Sequence, residues 1–187
     1  FEELYGVRLD SVVSRAQRLG VDLNACSFCG VLRRNAINLK ARLLGADKVA
    51  TGHNLDDEAE TVLINMLRGD FARLARVGSK PAKARSGFVP RVKPLRFLPE
   101  KEVALYAFLK NLPFAEMECP YVHGSMRDDV RNVLNEWEAK YVNVKYTIVG
   151  LVDRLVPFMS GVVEAASLQS CGICGEPSTL GKCRVCT

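Results

Sequence analysis

Apolar residues recur at helical spacing along much of the chain, with glycine and proline marking the breaks. Leu9, Val12, Val13 and Ala16 predict a short helix that Gly20 ends. After Cys29, the positions Leu32, Ala36, Leu39 and Leu43 fall on one face, and Gly45 is placed to cap the helix C-terminus. Lys48-Val49-Ala50-Thr51 then predicts a short buried strand leading into Gly52. From Asp57 the period is helical again, with Ala59, Val62, Leu63, Met66 and Leu67 on a shared face. Helix end, strand, loop and helix in that order make a βα half-unit of a parallel α/β sheet. Residues 77–96, rich in glycine, proline, serine and lysine, predict a long loop. Pro99-Glu100-Lys101-Glu102 opens a further helix, and Arg127 to Tyr141 predicts another. Ile148, Leu151, Val152 and Leu155 give an amphipathic helix that Pro157 is expected to break. The character of the chain changes near Gly161, and no internal repeat is present.

Composition narrows the class. With 187 residues, 48% apolar and 25% charged, the chain can bury a core as one or two domains. No stretch approaches 18 consecutive apolar residues, so no membrane partner is expected. The opening Phe1-Glu2-Glu3-Leu4 reads as the interior of a longer protein. Between Arg68 and Arg96 stand nine basic residues against Asp70 alone, so this segment carries +8 and the remainder of a net +5 chain carries −3. A basic loop of this kind presents charge to a phosphate backbone; the alternative is a solvated loop that serves solubility.

Six of the seven cysteines fall in C-x-x-C pairs, which argues for metal ligation in a reducing cytosol and against a secreted disulfide framework. Cys171, Cys174, Cys183 and Cys186 form two tight turns separated by eight residues. That gap is shorter than the commonest zinc-ribbon spacing but suits a closed, structural Cys₄ zinc site. So short a module cannot bury a core, and the metal must supply much of its folding free energy.

Cys26, Cys29 and Cys119 leave three readings open. Three thiolates can hold a [4Fe–4S] cluster with one iron free for an outside ligand, and Pro120 after Cys119 suits that use. His123 could complete a Cys₃His zinc site instead, or Cys26 and Cys29 could be a redox pair with Cys119 unrelated. Both cysteines are expected just before a helix, whose N-terminal dipole favours thiolate. At the strand's C-terminal end, Gly52, His53 and Asn54 lie where open α/β sheets bind ligands. Asp56 or Asp57 could hold Mg²⁺ or move a proton; the competing reading is a helix cap, with Asp57 and Glu60 as a capping-box pair.

Together, Cys26-Ser-Phe-Cys29-Gly-Val-Leu-Arg33-Arg34, Leu44 to Thr61 with its Gly52-His53-Asn54-Leu-Asp56-Asp57 core, Arg68-Gly69-Asp70, Cys119-Pro120-Tyr121 and the terminal Cys₄ module resemble one family. It is the archaeal and eukaryotic tRNA 2-thiolation enzymes of the PP-loop ATPase superfamily (the TtuA/NcsA group). The resemblance implies an α/β fold, a partial PP-loop parallel sheet with helices over 1–160 and a zinc-ribbon-like module over 161–187. It implies that ATP, with Mg²⁺, adenylates the C2 oxygen of a tRNA uridine, and that a hydrosulfide held on the open iron of a three-Cys [4Fe–4S] cluster then attacks C2 and displaces AMP. By matching positions, Cys26, Cys29 and Cys119 would hold the cluster and Gly52, His53, Asn54 and Asp56 the nucleotide. Asp57 and Arg33 would be catalytic; position 33 is lysine in some members, and a guanidinium stabilises an adenylate phosphate but cannot serve as a base. Zinc on Cys171, Cys174, Cys183 and Cys186, a homodimer, a ubiquitin-like sulfur carrier and a cytoplasmic setting follow from the same resemblance.

The family's Ser-Gly-Gly-x-Asp-Ser phosphate loop does not occur, and none of the 14 glycines adjoins another. The family's N-terminal zinc finger is likewise missing. The expectation is therefore a partial sequence that binds ATP weakly and does not turn over alone. The run from Cys26 to Arg34 leans towards the wobble uridine as target. The same chemistry on the T-loop thymidine is one alternative, and a non-catalytic, zinc-stabilised nucleic-acid-binding module is another.

Overall fold

A computed structural model describes residues 2–20, 25–77, 87–114, 119–121, 125–160, 169–174, 177–178, 181–183 and 186. The elements are α1 (Glu2–Tyr5), α2 (Leu9–Arg18), α3 (Ala25–Leu43), β1 (Val49–Ala50), α4 (Leu55–Leu67), α5 (Phe71–Leu74), β2 (Arg91–Val92), α6 (Glu100–Leu109), α7 (Met126–Lys140), α8 (Val144–Ser160), β3 (Gln169–Ser170) and β4 (Pro177–Ser178). They form two units. The first comprises the described residues of Phe1–Val49, Lys83–Pro90 and Ala166–Thr187, and the second those of Ala50–Ala82 and Arg91–Ala165. The expected boundary at 160/161 borders residues 161–168, which lie outside the described residues.

In the first unit α2 packs on α3. The Tyr5 hydroxyl donates to the Leu32 carbonyl at 3.0 Å and meets Asn35 Oδ1 at 2.6 Å. Asn38 is buried on α3 and serves the backbone of another segment, donating to the Gly87 carbonyl and accepting from Val89 N–H. Gly45 ends α3 as its sequence predicts. With φ +62° it lets Ala46 N–H reach the Ala41 carbonyl and its own N–H reach that of Arg42, so two of the helix's last carbonyls are satisfied. α3 begins at Ala25, so Cys26 and Cys29 lie inside its first turns rather than ahead of it. The helix period simply starts earlier than the apolar residues that reveal it.

The β1–β2 pair is parallel: Val49 N–H donates to the Pro90 carbonyl and Thr51 N–H to that of Val92, both strands advancing together. The chain is thus a helix-rich α/β protein with a small parallel sheet, and β2 falls inside the segment expected to be loop. Residues 78–86 of that segment lie outside the described residues.

The second unit is built on α4, which packs against α7 and α8. Leu55, Ala59 and Ile64 of α4 meet Val130 and Leu134 of α7 and Val149 of α8 in one core cluster; Val62, Ala75, Val77, Val152 and Met159 form a second. Burying each of the larger aliphatic side chains contributes about 1.5–3 kcal/mol. Met66, Leu67, Leu151 and Leu155, expected on buried faces, are exposed. On α8 the inward face instead runs Lys145, Val149, Val152, Val156, Met159. Pro157 sits inside α8 and does not break it: three residues before the end, it forgoes one N–H bond while Val156 and Met159 keep the last turn in the core. α6 follows Pro99 as predicted, with none of its residues buried.

Candidate active site and metal centre

The turn from β1 into α4 gathers most of the polar residues that the sequence singles out. Gly52 is exposed, and a Cβ placed there would meet nothing within 4 Å, so the backbone at the strand end is open to an approaching group. His53 Nδ1 lies 2.9 Å from Thr51 Oγ1. Its ring is at the surface, yet the flanking protein removes enough water to hold its pKa below the usual 6.5; Asp57 opposes that shift and Lys93 adds to it. The imidazole is therefore neutral at pH 7.

Asn54 caps α4. Its side chain accepts from Asp57 N–H at 3.0 Å, while Asp57 Oδ2 accepts from Asn54 N–H at 3.1 Å. The capping box is thus Asn54 with Asp57, not Asp57 with Glu60, because the helix starts three residues earlier than an Asp57 cap would place it. Asp57 keeps Oδ1 clear of the cap, 3.7 Å from Arg127 Nη1. Asp56 is buried and fully engaged: Oδ2 accepts from Glu100 N–H at the start of α6 at 2.7 Å, and Oδ1 pairs with Lys145, which also donates to Asn135.

Two further acids on α4 were not visible as site residues in the sequence. Glu58 is 1% exposed and binds Lys93 and Arg96; Arg96 grips Asp153 with both terminal nitrogens, at 2.6 and 2.8 Å. Burial alone would lower the Arg96 pKa, but the bonds to Asp153 and Glu58 outweigh it and raise it. Glu60, also 1% exposed, takes Arg127 Nη1 at 2.6 Å and Arg131 Nε at 2.9 Å. Arg127 adds a 3.2 Å bond to Thr61 Oγ1. These partners stand tens of residues away in sequence, and no short-range pattern announces them. They also trim the basic segment: Arg96 and Lys93 neutralise Glu58, and Arg73 pairs with Asp70, so these three charges are not free for a phosphate backbone.

Cys26, Cys29 and Arg33 lie at successive steps of three and four residues on α3, hence on one face, with Cys26 and Arg33 exposed and Cys29 half-buried. Two thiols one turn apart on an accessible face suit a shared metal or cluster. Cys119 is exposed and belongs to the second unit. His123, the fourth ligand of the alternative zinc site, lies outside the described residues.

At the C-terminus, antiparallel β3 and β4 carry the two knuckles together, with Gly172 N–H donating to the Gly181 carbonyl. The Sγ atoms of Cys171, Cys174, Cys183 and Cys186 all lie within 4.8 Å of one another, and Cys174 and Cys183 are 3.6 Å apart. Four thiolates at about 2.3 Å from a tetrahedral zinc stand about 3.8 Å from each other, so this donor set fits the metal. Backbone N–H groups of Cys174, Cys183 and Ile173 draw the Cys171 thiol down to about 6, whereas its neighbours, Cys174 first, push Cys186 up to about 12. Four thiolates at such range would repel one another, and a cation seated among them would remove that repulsion.

No family model matches the chain. It is 36% identical over its whole length to the tRNA 2-thiolation protein NcsA of Haloferax volcanii, covering 60% of that protein. It is 39% identical, again over its whole length, to the cytoplasmic tRNA 2-thiolation protein 1 of Drosophila melanogaster, covering 52%. Among solved structures it resembles the U34-tRNA thiolase NcsA from Methanococcus maripaludis with its [4Fe–4S] cluster, with a TM-score of 0.72 and 38% identity over 89% of the chain and 52% of that structure. The chain thus spans between half and three fifths of the length of these relatives. Sequence similarity along the entire chain and a shared fold over most of it converge on the same group, the tRNA 2-thiolation proteins of the NcsA type.

Proposed function

We propose that the chain acts in tRNA 2-thiolation, in the cytoplasm and on the wobble uridine. ATP adenylates the C2 oxygen, and sulfur then replaces that oxygen as AMP leaves. The observation that carries this reading is the whole-length similarity to NcsA proteins, one of which holds a [4Fe–4S] cluster, in a chain that displays Cys26 and Cys29 on an accessible helix face. Cys26, Cys29 and Cys119 would hold the cluster, which when bound would carry the donor's sulfur to the uridine. Cys171, Cys174, Cys183 and Cys186 would hold zinc in a closed structural site. A ubiquitin-like sulfur carrier and a homodimeric state belong to the same proposal.

The chain's own residues divide the remaining work. Gly52 opens the strand end to the nucleotide, and the neutral His53 ring offers a base or ribose a contact without charge. Asn54 fixes the turn and, through its N–H, orients Asp57 with Oδ1 left for Mg²⁺ or a proton. Asp56, with both oxygens engaged, serves the nucleotide site by anchoring the turn to α6 and α8. Arg33, permanently charged, stabilises the adenylate phosphate.

The test is iron, zinc and acid-labile sulfide per chain after anaerobic purification. About four Fe with sulfide and about one Zn are expected; two Zn and no iron, even after anaerobic reconstitution, would refute the cluster. Nucleoside mass spectrometry of tRNA from a deletion strain rescued by the full-length gene then identifies the target. Restored 2-thiouridine at the wobble position is expected, and restored thiothymidine in the T-loop would reassign it.

A further inference from the structure

Glu60 holds more positive charge than a buried carboxylate needs. One arginine would neutralise it, yet two reach it from α7, one helical turn apart. Arg131 is attached through Nε alone, and none of the described residues accepts from its two terminal nitrogens; its side chain is 36% exposed. Arg127, 43% exposed, is pinned by Glu60 and Thr61 beside Asp57. Arg131 is therefore fixed at its root with its tip open, while Arg127 is held through both terminal nitrogens, each with a second N–H to offer, over the first two turns of α4. A guanidinium so held has already lost its rotamer freedom, and its planar donor pair matches the oxygens of a phosphate. Asp57 and Glu100 also bear on Arg131 electrostatically. That mixture of signs suits a phosphate that carries Mg²⁺: oxygens for the guanidinium groups, metal for the Asp57 oxygen that the cap does not use.

We propose that Arg127 and Arg131 form a phosphate-binding fork that takes the phosphate or pyrophosphate oxygens of the nucleotide beside Asp57. The inference rests on the reading of Gly52–Asn54 as the nucleotide site. It is tested on the full chain with three probes, magnesium pyrophosphate, AMP and adenosine, by following the arginine Nε–H and His53 resonances. Pyrophosphate should shift the Arg127 and Arg131 signals. AMP should bind about tenfold more tightly than adenosine, the scale of one charge-assisted hydrogen bond. Arg131→Lys keeps a cation for Glu60 but removes the fork, and it should cut the AMP preference to within about twofold while adenosine affinity holds. Arg131→Gln should do the same. Unmoved arginine signals, or an AMP preference that survives both substitutions, would overturn the fork. Shifted arginines with no adenosine effect at His53 would keep the fork and discard the nucleotide reading of the turn. Adenosine effects at His53 with silent arginines would do the reverse.

Discussion

Arg96 shows how much of this protein is decided by single charged residues that a one-dimensional reading misplaces. In the sequence it closes a basic segment aimed at solvent; in the fold it is 2% exposed and joins α4 to α8 through Glu58 and Asp153. Removing one partner of a buried ion network strands the others, which typically costs about 3–5 kcal/mol. Arg96→Ala should therefore lower the unfolding free energy of the second unit by about 3 kcal/mol or more in urea titration; a loss below 1 kcal/mol would mean that Lys93 or water compensates Glu58. His53 gives a pH signature at the same scale. Its folded pKa lies below 6.5, so in the interval beneath 6.5 the unfolded chain binds the extra proton. The stability linked to His53 is present above pH 6.5 and is lost as pH falls through 6.5 towards the folded value. The His53 ring should titrate by NMR with a midpoint under 6.5, and Asp57→Asn, which removes the stronger of the two carboxylates that raise it, should depress the midpoint further. An unperturbed midpoint would show that the ring is as hydrated as a free histidine.

Elements were more legible than residues, because helix period and end signals are local. Gly45 behind α3, Pro99 before α6 and the face carrying Ala59 and Val62 were readable from neighbours alone. What failed was the choice of face where apolar residues outnumber buried positions. α8 offers both the Leu151–Leu155 side and the Val149–Val152 side, and only packing on α4 selects the second. Pro157 reads as a breaker for a related reason, since no local signal shows that tertiary burial of Met159 outweighs one missing backbone bond. The α4 cap is half legible: the acids stand out, whereas Asn54 as cap residue is hidden behind them, although Asn three residues before Asp is a start signal. Asn54→Ala should cost about 1 kcal/mol of stability, as cap removals do, and should leave Asp57 without its fixed orientation. Thermal unfolding checks the first effect. The second should appear as a displaced His53 resonance, and an unaltered resonance would separate the cap from the site.

At the scale of the whole molecule, the Cys₄ module and the α4–α7–α8 core have different sources of stability. The core is held by aliphatic burial and the Glu58 and Glu60 networks, all inside the second unit. Among its described residues the module has two buried cysteines and two two-residue strands, far too little apolar surface to fold unaided. It is legible in sequence because its ligands are neighbours, whereas Cys26 and Cys29 fall in one unit and Cys119 in the other, with no short-range pattern to join them. If zinc holds the module, a strong chelator should release about one equivalent of metal and abolish amide protection at Gly172 and Cys183. Protection at Val62 and Val149 should remain, since neither depends on a thiolate. Cys174→Ser should reproduce the same split without chelator. Hydrogen exchange on the holo and chelated chain decides it: simultaneous loss at all four amides would show that the metal stabilises the second unit as well, and unchanged protection at Gly172 would show that the module folds without it.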